Sequence, residues 1–252
     1  MEPAGEKINL KKEKMAIRLD KFLTEAGVGT RSEVKKYIRQ NLVTVDSVPA
    51  QKPEQKIDEK IAKVCFRGKE IVYAAYEYYL FHKPAGCVSA TEDRLHKTVM
   101  DYLTNTVRGD LFPVGRLDLD TEGLLLITND GALAHDLLSP SKHVEKTYYA
   151  KIKGRVTEED VNLFEKGVDI GEEKPTKPAK LVIVSEGDIS EIRLTITEGK
   201  FHQVKRMFEA VGKEVVYLKR LSMGSLVLPD DLAKGDYRPL TTQELETLRR
   251  KV

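Results

Sequence analysis

Apolar residues first fall into regular spacing at Leu19, Phe22, Leu23 and Ala26, positions i, i+3, i+4 and i+7 of one helical face, and Gly27 supplies a stop. Upstream, residues 1–14 show no apolar periodicity and are expected to form a flexible tail. Thr30 followed by Glu33 has capping-box spacing, which predicts a second helix with Val34, Tyr37 and Ile38 as its apolar stripe. The stretch 42–45 reads as a short strand before a polar turn and Pro49. Residues 15–62 thus form a small α/β unit of two helices and a hairpin. Residues 63–78 alternate only weakly and are expected to serve as a linker.

From residue 79 the period changes. Residues 79–82 predict a strand entering the loop Lys83-Pro84-Ala85-Gly86, and the apolar run 123–128 predicts a buried strand ending at Asn129-Asp130-Gly131. Residues 147–152 and 191–197 alternate with period two. Helical spacing returns over 201–211 through Val204, Met207, Phe208 and Val211, with Gly212 as the stop. Strands joined mostly by loops, with helices between them, argue for an α+β domain over 79–252. Its sheet is expected to be mixed and mainly antiparallel, not doubly wound.

Composition adds limits. The chain has 252 residues, 40% of them hydrophobic and 33% charged. No apolar run approaches the roughly 20 residues of a membrane helix, and the first residues do not resemble a signal peptide, so a cytoplasmic protein is expected. Cys65 and Cys87 stand apart without zinc spacing and read as ordinary thiols. The net charge of +2 does not announce a polyanion partner, but the basic residues are clustered. Lys142, Lys146, Lys151, Lys153 and Arg155 lie close together, as do Lys200, Lys205, Arg206, Lys213, Lys219 and Arg220. Arg31, Lys35, Lys36 and Arg39 project from the side of the second helix opposite its apolar stripe. Such a face neutralises phosphates and positions RNA without reading sequence.

The segment 115–123, GRLDLDTEG, carries Asp118, Asp120 and Glu122 before Gly123. That spacing fits the first half of a calcium loop, but position twelve holds Asn129 where a bidentate glutamate belongs, and the apolar run fills the second half. No metal is expected. Strand alternation would turn Leu117 and Leu119 to the core and Arg116 and Asp118 to a cleft, leaving the direction of Asp120 open. Taken alone, Tyr148 reads as a half-buried strand tyrosine, and Lys205 fits an exposed helix lysine paired with Glu209.

Two resemblances organise these motifs. RLDKFL at 18–23, TRSEVKKYI at 30–38 and VTV at 43–45 resemble the S4 RNA-binding domain. The chain departs from that pattern at Gln40–Asn41, where a glycine turn is common, and at Asp46–Ser47, where Asn–Gly is usual. VGRLDLDTEGLLLITNDG at 114–131 is similar to the catalytic motif of pseudouridine synthases. FHKPAG at 81–86, SPSKHVEKTYYAKIKG at 139–154, EGKFHQVKRMFEAVG at 198–212 and YRPLT at 237–241 resemble the RsuA-type branch, which modifies bacterial ribosomal RNA.

That resemblance implies isomerisation of uridine to pseudouridine in small-subunit (16S) ribosomal RNA, with no cofactor. Asp118 would be the catalytic carboxylate, Lys205 its cation and Tyr148 the ring stacked on uracil. Arg116, His202 and Gln203 would contact substrate. The partner would be ribosomal RNA, free or in a partly assembled small subunit, and the protein a monomer. The alternatives are a large-subunit (23S) enzyme and a non-catalytic S4-type RNA-binding protein.

Overall fold

The computed structural model describes residues 16–59 and 61–250. The tail expected over 1–14 lies outside the described residues. The chain divides into two compact units, one built from residues up to Ala75 together with Val107–Asp110, the other from Tyr76–Thr106 and the chain from Leu111 onward.

In the first unit the helices are Leu19–Glu25 and Arg31–Arg39. Thr30 and Glu33 close the capping box, with the Thr30 amide donating to Glu33 Oε2 at 2.8 Å. Leu19, Phe22, Leu23, Val34 and Ile38 are buried in one core with Val43 and Val64. A four-stranded antiparallel sheet runs in the order Val48–Pro49, Val43–Val45, Val64–Phe66, Lys69–Glu70.

Two strands of that sheet occupy the stretch expected to be a linker, so the unit extends past residue 62. Val64 fills the core while Val64–Phe66 pairs with Val43–Val45, a contact too short and too distant in sequence to leave a clear periodicity. The Asp46–Ser47 turn also forms without Asn–Gly. Both residues take positive φ, 50° and 69°, as a type I′ hairpin requires. The Asp46 carboxylate accepts the Lys63 amide at 2.9 Å. Arg108 enters this unit from the 107–110 segment. Its buried guanidinium pairs with Glu25 at 3.0 Å and Asp110 at 2.6 Å.

The second unit is a nine-stranded sheet. Its main path runs Lys180–Ser185, Ile189–Ile196, Lys146–Lys153, Glu214–Met223, Glu122–Thr128, Tyr78–Lys83, Tyr237–Pro239. Leu226–Val227 adds to Glu214–Met223, and Phe112–Pro113 adds to Glu122–Thr128. Every pairing is antiparallel except that of Glu214–Met223 with Glu122–Thr128.

Successive side chains of Glu122–Thr128 enter two different cores. Leu125 and Ile127 join Phe164, Met207 and Phe208. Leu124 and Leu126 join Leu133, Leu137 and Leu248. Helices therefore cover both faces, which explains why this strand is an unbroken apolar run rather than an alternating one. The helices Gly131–Leu138, Glu158–Lys166 and Thr242–Arg250 supply that cover and were not anticipated from periodicity. The helix expected over 201–211 is Gln203–Glu209, because His202 takes a left-handed conformation at φ 48°. Among the described residues no helix is long and apolar enough to cross a membrane.

Candidate active site

The site is built where the parallel strand pair begins. Gly123 lies opposite Arg220 in that pairing and has φ +110°. A Cβ at this position would overlap the Arg220 backbone, so only glycine allows the strands to approach here. The chain just before it is a turn, with the Thr121 amide donating to the Asp118 carbonyl at 3.1 Å. Strand alternation therefore does not extend through 116–119. Leu117 is buried as expected, but Leu119 is 41% exposed, contrary to the inward position assigned to it.

Lys83 anchors the turn. Its buried ammonium donates to the carbonyls of Thr121 at 2.8 Å, Asp118 at 2.9 Å and Pro84 at 3.1 Å. Burial lowers the Lys83 pKa, against the pull of nearby Cys87, Asp118, Asp120 and Glu122. With the Leu119 carbonyl at 3.4 Å, four carbonyls converge on the three donors of this ammonium and fix the backbone that carries Asp118. Sequence reasoning assigned Lys83 no role. The available signal was a lysine closing the apolar run 78–83 directly before a proline.

The helix Gln203–Glu209 delivers the counter-charge. Val204, Met207 and Phe208 are buried, which leaves Lys205 at the helix edge. Lys205 Nζ lies 3.3 Å from Asp118 Oδ2 and donates to both oxygens of Asp120, at 2.7 and 2.9 Å. No ion pair joins it to Glu209 among the described residues. Burial alone would lower the Lys205 pKa, but the bond to Asp120 and the charges of both aspartates hold it above its ordinary value. Asp120 shows the mirror image: burial raises it, and the bond and charge of Lys205 bring it below the usual carboxylate range. Asp120, whose direction the sequence left open, thus shares the site. Its side chain is 70% exposed, against 23% for Asp118.

His202 Nε2 stands 3.6 Å from Asp118 Oδ1. Tyr148 is buried in the same apolar cluster as Leu117 and Val204, the neighbours in sequence of Asp118 and Lys205. Arg116 is exposed and forms no ion pair among the described residues. Gln203 is the residue not brought to the surface of the cleft. It is 4% exposed, its Oε1 accepts the Lys200 amide at 2.9 Å, and its Nε2 donates to Glu198 at 3.0 Å.

These residues do not form a calcium site. Lys205 bridges Asp118 and Asp120, while Glu122 accepts from Tyr217 at 2.6 Å and pairs with Lys234 at 2.8 Å. Among the described residues no group of three metal-ligating side chains converges. What the site offers is one partly buried carboxylate held beside a cation, next to the apolar cluster that holds the Tyr148 ring. Such an acid can attack or deprotonate a sugar carbon. In the first unit Arg31, Lys35, Lys36 and Arg39 are all exposed, opposite buried Val34 and Ile38, and none forms an ion pair among the described residues.

Comparison with known proteins places these features in context. The family described as RNA pseudouridylate synthase matches residues 77–210, and the S4 domain matches residues 17–60. An uncharacterized RNA pseudouridine synthase of Bacillus subtilis is 49% identical over 234 residues, covering 92% of this chain and 98% of that protein. The ribosomal small subunit pseudouridine synthase A of Escherichia coli is 40% identical over 234 residues, covering 92% of this chain and all of that protein. A crystal structure of a pseudouridylate synthase aligns with a TM-score of 0.65 at 38% identity, covering 92% of this chain and 99% of that one.

Proposed function

Because this chain belongs to the RNA pseudouridylate synthase family and isomerises uridine in RNA, we propose that its substrate is small-subunit ribosomal RNA and that Asp118 is its catalytic carboxylate. The observation that carries the catalytic assignment is the pairing of partly buried Asp118 with Lys205 at 3.3 Å, on a turn pinned by Lys83. The substrate assignment rests on relatives named for the small subunit that match this chain over nearly its whole length.

The reaction breaks the bond from ribose C1′ to uracil N1, turns the base, and joins C1′ to C5. The C5 proton then leaves and N1 gains one, so nothing is added or lost overall. Stacking in RNA hides these atoms, so the uridine is first everted into the cleft, at a cost of about a few kcal/mol. Asp118 acts in its ionised form on the sugar at C1′. The ammonium of Lys205, 3.3 Å away, places the opposite charge beside it.

Tyr148 stacks its ring on the uracil, and its hydroxyl takes part in removing the C5 proton. His202 contacts the substrate beside Asp118. Arg116 takes a phosphate or the space left by the everted nucleotide, and Gln203 braces the loop that carries His202. Arg31, Lys35, Lys36 and Arg39 bind RNA phosphates. The protein works in the cytoplasm as a monomer. The RNA is engaged free or within a partly assembled small subunit.

Mapping pseudouridine across both ribosomal RNAs in cells with and without the protein tests this reading. Loss of a site in the small-subunit RNA is expected. Loss confined to the large-subunit RNA would overturn the substrate assignment.

A further inference from the structure

We propose that Phe201 is a stacking platform for the RNA base next to the everted uridine, a contact that rests on the isomerase reading above. Phe201 is 68% exposed, although large apolar side chains are usually interior. An isolated exposed phenylalanine needs no explanation, but this one is fixed in place. Its ring lies on the His202 imidazole with centroids 3.8 Å apart and planes 20° from parallel. Its carbonyl accepts from Arg206 Nη1 at 3.1 Å, and Arg206 is itself held by Glu172 at 2.7 Å. Gln203 braces the same loop through Lys200 and Glu198.

The position of this rigid ring gives it a task. His202, on which it lies, is 3.6 Å from Asp118. Leu119, directly after Asp118 in the chain, is likewise an exposed apolar side chain. The target uracil occupies the space served by Asp118 and Tyr148, so Phe201, a ring layer beyond His202, suits the neighbouring nucleotide. Eversion strips that neighbour of a stacking partner. A phenylalanine face replaces it for any base, because every base presents a π surface. The ring therefore holds the strand open beside the cleft without reading its sequence.

The test measures kcat/KM on total ribosomal RNA from cells lacking the protein, read as tritium release from 5-tritiated uridine. It uses the wild type, Phe201→Ala, Phe201→Leu and Phe201→Trp. Both Phe201→Ala and Phe201→Leu should lose about tenfold, mainly through KM. Phe201→Trp should keep nearly all activity, and melting temperatures should not change. Wild-type kcat/KM in Phe201→Ala would overturn the proposal, as would Phe201→Leu performing as well as Phe201→Trp. A wild type silent on both ribosomal RNAs, free and within small-subunit particles from the same cells, would overturn the isomerase reading and this contact together. Activity confined to the large-subunit RNA would correct the substrate alone, and the Phe201 variants would still decide the contact.

Discussion

In the function proposed above, the helix Arg31–Arg39 and the site around Asp118 both place cations, but they do so in opposite ways. On the helix, four basic side chains are exposed and without ion pairs among the described residues, over a stripe of Val34 and Ile38. In the cleft a single lysine is committed to two carboxylates, on backbone fixed by Lys83 and Gly123. The helix needs charge and tolerates imprecision, because phosphate attraction acts over a Debye length of about 8–10 Å. The cleft needs atoms at set positions, because a displacement of about 1 Å can cost a hundredfold in rate. Substitutions in the helix should therefore act gradually and additively, and those in the cleft abruptly.

The largest effect should come from the backbone. Gly123→Ala forces a Cβ into the Arg220 carbonyl at a positive φ, and the expected cost is about 3 kcal/mol or more. Denaturant melts would show it as a lost or much weakened second unit. A variant of wild-type stability would mean the strands are not this close.

Lys205→Met should come next. It leaves Asp118 and Asp120 side by side without their cation, and removes the bond and charge that hold Asp120 below the usual carboxylate range. A rate loss of about tenfold to a hundredfold at pH 7 is expected. The loss should fall on kcat, with RNA affinity close to wild type. Wild-type kcat in this variant would separate Lys205 from the action of Asp118.

Smaller changes are expected on the helix. Lys35→Ala or Lys36→Ala should weaken RNA binding only severalfold and reduce the salt slope by about 1. Replacing Arg31, Lys35, Lys36 and Arg39 together should sum these effects and leave kcat at saturating RNA unchanged. An all-or-none loss from one of them would break the contrast with the cleft.

The smallest effect lies outside both regions and separates stability from chemistry. Hydrogen bonds from Arg238 push Glu244, in the first turn of the helix Thr242–Arg250, down to about 2. A carboxylate depressed in the folded state contributes its stability above its ordinary value of 4.5 and loses it as pH falls toward 2. Glu244→Gln should flatten that acid-side loss in circular dichroism melts and leave activity at neutral pH unchanged.

The contrast also marks what the sequence could reveal. The basic helix was legible because its cap, stripe and charged side all arise within residues 30–39. The strand Glu122–Thr128 and the helix carrying Lys205 were legible for the same reason. The family motifs singled out Asp118, Tyr148 and Lys205 for the roles proposed above; the residues alone left Tyr148 and Lys205 as ordinary strand and helix positions.

Features joining distant segments were not legible. Val64–Phe66 looked like a linker because its partner lies some twenty residues earlier. Leu119 was placed inward because a period of two cannot announce the turn that ends it. Lys83 and Asp120 gained roles only when the turn at 118–121 brought carbonyls to one and Lys205 to the other.

That both aspartates touch Lys205 gives the account its sharpest test. Tritium release from 5-tritiated uridine in ribosomal RNA should be measured for Asp118→Asn and Asp120→Asn side by side, with RNA affinity measured for each. The account predicts no detectable isomerisation by Asp118→Asn, substantial activity in Asp120→Asn, and RNA affinity close to wild type in both. An active Asp118→Asn beside an inactive Asp120→Asn would contradict it.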